Sequence, residues 1–403
     1  MKKSNLWLIV CLLVSCMSTI SFADDTANSS GFKGYSLASV DQRLEIDTSW
    51  RRVLEAEIAR AINPDDYVCD PATDFVVWAG ERFAEIDPFS LFILDELSAF
   101  FWAGDAKILV DNDASDEYIG ARGQYTREQI KRQKDNRRFW DVRSDDILLM
   151  GMHGSQIGDD EKILEFLNHP FIFGFFPEEI VLYILELVQT TIEGGVADFG
   201  LFFSFPDEPE FPFLIEMPGI PSGYDNPLLT LNAFAFSTGG EDIPGLGVIP
   251  DKLVMGDGIL EGLEAIGLGQ NGPDFVHAHE FAHHVQFEIG AFDPPVPLPT
   301  AAERTRRTEL MADGFGAYYS THARGASMQA KRFADVMNAA FVVGDCQFAS
   351  PGHHGTPIQR DAAAAWGGEV SSSAQRQGHV ESAYTMLTLF DAELANLVAP
   401  DAP

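Results

Sequence analysis

The chain has 403 residues, of which 46% are hydrophobic, 22% charged and 11% aromatic. Such a composition buries a sizeable core and excludes a predominantly disordered chain, and no heptad or collagen-like period runs through it. Lys and Arg number 27 against 61 Asp and Glu, a formal charge of −34, so the surface repels phosphate backbones and anionic lipid. Nucleic acid is not an expected partner.

The N-terminus reads as a bacterial-type export signal: Lys2 and Lys3 precede an apolar stretch, Leu6 to Ser15, that is too short to span a bilayer. Two processing sites compete. Ser21-Phe22-Ala23 is A-x-A-like and would remove residues 1–23, giving a periplasmic or secreted protein. Leu13-Val14-Ser15-Cys16 resembles a lipobox, which would make Cys16 a lipid anchor at the outer membrane. Residues 24–33 are small and polar and read as a flexible leader. No other segment reads as a membrane span, because Pro177, Glu178 and Glu179 break the run at Phe171–Phe176 and the next apolar stretch contains Glu186. That stretch reads as a buried helix. Export permits disulfides, and Cys69 and Cys346 fit either one bridge or two buried thiols.

Helical spacing of apolar residues marks Val40–Ala61, and again Asp74–Trp102 with a break at Pro88. Asp111 to Glu117 alternates oxygen-bearing side chains, but Asp116 stands where a calcium loop needs Gly and Arg122 where it needs a bidentate acid. A solvated acidic loop is the expectation. Phe139–Gly154 reads as strand-rich and ends in a His-Gly turn in which His153 is structural, and Asp159–Asn168 reads as a helix. Six prolines, at 206, 209, 212, 218, 221 and 227, predict a long irregular loop and a boundary. Residues 34–227 then form a mainly helical region of unassigned role, and residues 228–403 carry the chemistry.

His279-Glu280-Phe281-Ala282-His283 is an H-E-x-x-H motif in a helical context, with Asn271-Gly272-Pro273 as start and Gly290 as stop. Residues four apart share a helix face, so His279 and His283 can hold one metal ion while Glu280 turns toward the water it binds. A catalytic zinc needs a third protein ligand. Ile289 stands where a metzincin has its third His, so that class is excluded. The next helix opens with the capping box Thr300-x-x-Glu303 and carries Glu309, the expected third ligand. Asp313, one turn on, can accept the distal N–H of a ligand His. Ala312, Gly314, Gly316 and Ala317 suit close approach of the two helices.

These residues, followed by His354-Gly355-Thr356-Pro357-Ile358-Gln359-Arg360, resemble the gluzincin group, and in particular the bacterial neutral zinc metallopeptidase family. Upstream, Asn232-Ala233-Phe234-Ala235 and Lys252–Leu260 are similar to the edge-strand and strand-to-helix layout of prenyl-protease-like zinc peptidases. The resemblance covers roughly residues 228–362. Gly314 stands where the neutral zinc peptidases usually have Cys.

The resemblance implies an α+β, mostly helical fold with a small mixed sheet beside the two metal-bearing helices, a Zn2+ cofactor and a peptide or protein substrate. Glu280 is then the general base, with His354, Tyr318 or Tyr319 as donor to the developing oxyanion; His354 reads equally well as a structural His-Gly turn. Leu228–Phe236 is the expected substrate-binding edge strand. The rival reading is a non-catalytic zincin-like module in which zinc is structural and the N-terminal region binds a partner or surface.

Overall fold

The computed structural model describes residues 73–399 apart from 145, 170–171, 173, 175, 200–213, 244, 293, 295–297, 299 and 343–353. The expected export signal and leader, the helix expected over Val40–Ala61, Cys69 and Cys346 lie outside the described residues.

The fold is mostly helical with small sheets. It runs through α1 (Asp74–Ala84), α2 (Pro88–Glu96), α3 (Trp102–Leu109), α4 (Thr126–Phe139), β1 (Leu148–Met152), α5 (Asp160–Leu167) and α6 (Glu178–Glu193). Strands β2 (Gly195–Asp198), β3 (Leu214–Met217), β4 (Ala233–Phe236), β5 (Asp242–Ile243), β6 (Gly247–Val248) and β7 (Lys252–Gly256) follow. Six helices complete the chain: α7 (Asp257–Ala265), α8 (Gly272–Ile289), α9 (Ala301–Thr321), α10 (Ala330–Val342), α11 (Pro357–Gln377) and α12 (Ala383–Val398). Among the described residues no helix is long and apolar enough to cross a membrane.

Two compact units interleave along the chain. One gathers Arg82–Asp111 and His153–Thr230, and the other gathers the described residues up to Glu81, Asn112–Met152 and everything from Leu231 on. One cut falls at Thr230–Leu231, three residues past Pro227, and further cuts upstream assign Asn112–Met152 to the second unit, where β1 pairs with β7 and α4 packs on α8.

In the first unit the helix expected over 159–168 is α5, capped by the Asp159 carboxylate on the Lys162 N–H. The stretch with Glu186 is α6, whose Val181, Leu185 and Val188 are buried. Part of the expected proline loop is a strand instead: β3 lies between Pro212 and Pro218 and pairs antiparallel with β2. His153 caps a 3-10 turn over Gly154–Gly158, as its structural reading expected.

The second unit carries the H-E-x-x-H helix. Its sheet has the order β1-β7-β4, with β1 parallel and β4 antiparallel to β7. The strand-rich reading of Phe139–Gly154 holds only from Leu148, since Phe139 ends α4. The expected strand over Leu228–Phe236 is likewise shorter. The Asn226 side chain accepts from the Leu228 N–H at 3.0 Å, which bends Pro227–Thr230 into a 3-10 turn, and extended backbone begins at Ala233.

Helix α8 is buried along its length except at Glu288, so it is a core helix with neighbours on every side. Close approach of α9 depends on Gly316, where a Cβ would lie 3.2 Å from the Ala278 carbonyl carbon and the His279 nitrogen. On its other side α9 meets α11 at Gly367, where a Cβ would fall 2.0 Å from the Gly314 oxygen. Phe281, Val285, Leu310, Met311 and Phe315 are fully buried around these contacts, each contributing about 1.5–3 kcal/mol of burial. Side chains mounted on such a frame have few alternative positions.

Candidate metal centre

The centre is assembled from local signals. Pro273 and Asn271 begin α8 and Gly290 ends it, which fixes the helix phase so that His279 and His283 fall on one face. Thr300 and Glu303 form the reciprocal capping box of α9, and Thr356 with Gln359 forms that of α11. Helix α9 lies against α8 with Glu309 and Asp313 turned toward the two histidines.

His279 Nε2 and His283 Nε2 are 3.2 Å apart, and Glu309 places Oε2 3.3 Å from the first and Oε1 3.6 Å from the second. Three ligands on a tetrahedral ion with bonds of roughly 2.0–2.1 Å are separated by about 3.3 Å, so the three groups stand at the corners such an ion requires. The cluster His279, His283 and Glu309 is buried and could hold a metal ion.

The proton inventory points the same way. His279 Nδ1 lies 2.8 Å from Asp313 Oδ1, and His283 Nδ1 lies 2.9 Å from Gln286 Oε1. With hydrogen on each Nδ1, both Nε2 atoms present lone pairs to one another and to a carboxylate. Three acceptors that face one another suit a cation between them, a metal ion or the proton that charges His279.

With protons as the sole cations, the electrostatics show the same demand. Burial opposes charge on His279, but Asp313 and Glu309 outweigh it and push the imidazole up to about 10. Burial holds its neighbour His283 down at about 4. Burial works against ionised Glu309 too, yet His354, His283 and His279 keep it well below the usual carboxylate range. Asp313, equally buried, is held low by Arg360, whose Nε and Nη2 each lie 2.7 Å from its carboxylate oxygens.

Glu280 sits beside the cluster. Burial and the charge of Glu309 push it up to about 8, against the pull of His279, Arg360 and the Ala235 main-chain N–H, which donates to its carboxylate. That amide belongs to the free side of β4: the Gly256 N–H donates to the Asn232 oxygen at 2.9 Å, so alternation turns Ala233 and Ala235 away from β7. Among the described residues β4 ends its sheet beside α8, an edge strand shorter than expected.

His354 is buried with Nε2 3.8 Å from Glu309 Oε2, at the rim of the cluster and outside the ligand set. Tyr318 and Tyr319 are not brought to it. The Tyr318 hydroxyl accepts from the Glu381 N–H at 2.6 Å, and Tyr319 meets Phe139 edge to face with its hydroxyl toward Arg132. His284 bonds the Lys252 oxygen and His277 bonds Gln133, so neither is a ligand. The Asp111 to Glu117 loop is spoken for as well: Lys107 and Lys162 pair with Asp111, and Lys252 donates to Asn112.

Two residues escaped sequence reasoning, Arg360 and Gln286. Arg360 closes the His354–Arg360 string and Gln286 follows the H-E-x-x-H motif by three residues; the one signal for Gln286 was a polar side chain on an apolar helix. Comparison of the chain with family models, with curated proteins and with solved structures finds no match.

Proposed function

We propose that this chain is an exported zinc-dependent peptidase of gluzincin type. The observation that carries the reading is the convergence of two Nε2 lone pairs and a carboxylate at tetrahedral spacing, with a second carboxylate, Glu280, beside them and free of the ligand set. The export signal at residues 1–23, or lipidation at Cys16, supports the location, and the motif's resemblance to neutral zinc metallopeptidases supports the reaction class.

The residues fit the ion. Asp313 and Arg360 cancel one another, which leaves ionised Glu309 with Glu280 beside it, and a divalent cation there would favour the carboxylate form of both. Bound zinc would supply Lewis acidity, bringing the pKa of water to about 7. Glu280, its carboxylate poised near neutrality, takes the proton from the attacking water and returns it to the leaving amine. An extended substrate pairs with main-chain groups on the side of β4 turned away from β7, at Ala233 and at the Ala235 oxygen, which sets its scissile carbonyl against His279 and His283. His354, on the Glu309 side, is placed to donate to the charge that develops on that carbonyl oxygen.

A purely structural metal would leave Glu280 without a task. Replacing Glu280 by Gln separates the two readings. Zinc content should stay at the wild-type level while hydrolysis of a generic protein substrate falls about 10²- to 10⁴-fold. Full activity in that variant would remove Glu280 as base, and an inactive wild type with bound zinc would favour the structural role.

A further inference from the structure

The two imidazoles are held by different means. His279 faces an anion, Asp313, which Arg360 in turn grips. His283 has no such anion. Its Nδ1 meets Gln286 Oε1 at 2.9 Å, and Gln286 Nε2 meets the main-chain oxygen of Thr308, on α9, at 2.8 Å. Gln286 is 1% exposed, so water offers it no alternative partner.

A main-chain carbonyl can only accept. Thr308 therefore draws the NH₂ of the amide and turns its oxygen toward His283. That oxygen needs a donor, which places the hydrogen on Nδ1 and the lone pair on Nε2, the atom facing His279 and Glu309.

We propose that Gln286 is a positioning residue that, by reading the Thr308 carbonyl, fixes His283 in the metal-ligating tautomer and ties α8 to the turn of α9 that presents Glu309. The inference rests on the metal-centre reading given above. It assigns unequal supports to the two ligands, a charged one to His279 and a neutral, directional one to His283. The two kinds cannot be exchanged. A glutamate at 286 would set a second oxygen against the Thr308 carbonyl, so it must either swing away, which frees His283, or be held protonated in place of the amide, at the cost of neutralising a carboxylate. An added negative charge near the metal would then weaken binding, contrary to a simple count of charges.

The full-length protein and its Gln286→Met and Gln286→Glu variants can be titrated with zinc against a chromophoric chelator. Long-range ¹⁵N–¹H NMR of the metal-free proteins reads the imidazole tautomers directly. Wild type should bind one zinc and show His283 with hydrogen on Nδ1. Both variants should lose that preference and bind zinc about 10- to 100-fold more weakly, Glu no better than Met. Zinc affinity within twofold of wild type in Gln286→Met, tighter binding in Gln286→Glu, or a wild-type His283 with hydrogen on Nε2 would overturn the proposal. Should Gln286→Met fail to fold, the wild-type tautomer decides alone. A wild type that binds no zinc yet shows the expected tautomer would instead overturn the metal-centre reading.

Discussion

On one face of α8, His277 lies between two amides of α4: Gln133 Oε1 at 3.0 Å from Nε2 and Asn136 Nδ2 at 3.4 Å from Nδ1. On another face, His279 and His283 look toward α9. All three rings are buried in one helix, yet burial, with Arg132 and Arg137 nearby, holds His277 at about 3 whereas His279 is pushed up to about 10. At His277 one nitrogen donates and the other accepts, so no lone pair is left for a metal. At the other two rings the distal nitrogens are satisfied and the proximal ones converge. Residue type and burial do not distinguish a structural histidine from a ligand; the partner of the second nitrogen does.

The structural face should fail hardest. Asp274 holds Arg132 at 2.7 Å and Arg332 at 3.2 Å, and its replacement by Ala strands a buried guanidinium. Breaking such a pair costs about 3–5 kcal/mol, and the low end applies because Glu128 still reaches Arg132 at 2.6 Å. Denaturant unfolding should show that loss, with zinc affinity of the folded protein unchanged. A matching fall in zinc affinity would mean that the two faces are coupled.

Asp313→Ala should do the reverse. Zinc binding weakens about 10- to 100-fold because His279 loses the acceptor that sets its tautomer. Equilibrium titration checks this, and unchanged affinity would remove Asp313 from the centre.

A smaller effect distinguishes the faces by pH. The folded pKa of His277 lies below its unfolded value of 6.5, so its contribution to stability is complete above pH 6.5 and is lost as pH falls toward 3. Between pH 6.5 and 5 the loss amounts to about 2 kcal/mol. His277→Gln should lack that part of the acid slope, measured as the difference between the two unfolding curves at each pH. Parallel curves would mean that His277 titrates normally.

What could be read along the chain was what depends on near neighbours. The spacing of His279 and His283, the caps at Thr300 and Gly290, and the pair Glu309 and Asp313 are each set within one or two helical turns, and they reappear in the structure. Arg360 and Gln286 could not be assigned because their meaning lies across helix contacts, 47 residues from Asp313 in one case and 22 from Thr308 in the other. The pairing of Leu148–Met152 with Lys252–Gly256 is longer still in range, so the assignment of Asn112–Met152 to the later unit could not be read beside the cut near Pro227. At Leu228 a local feature misled: β-rich composition suggested a strand, and the Asn226 side chain won the backbone for a turn.

The central claim is that three convergent acceptors exist to hold one cation. Elemental analysis of protein equilibrated with zinc and then dialysed tests it directly, with wild type beside His283→Ala. One zinc per wild-type chain and a loss of most of it in the variant is the predicted result. Equal zinc in both proteins, or none in a folded wild type, would contradict it.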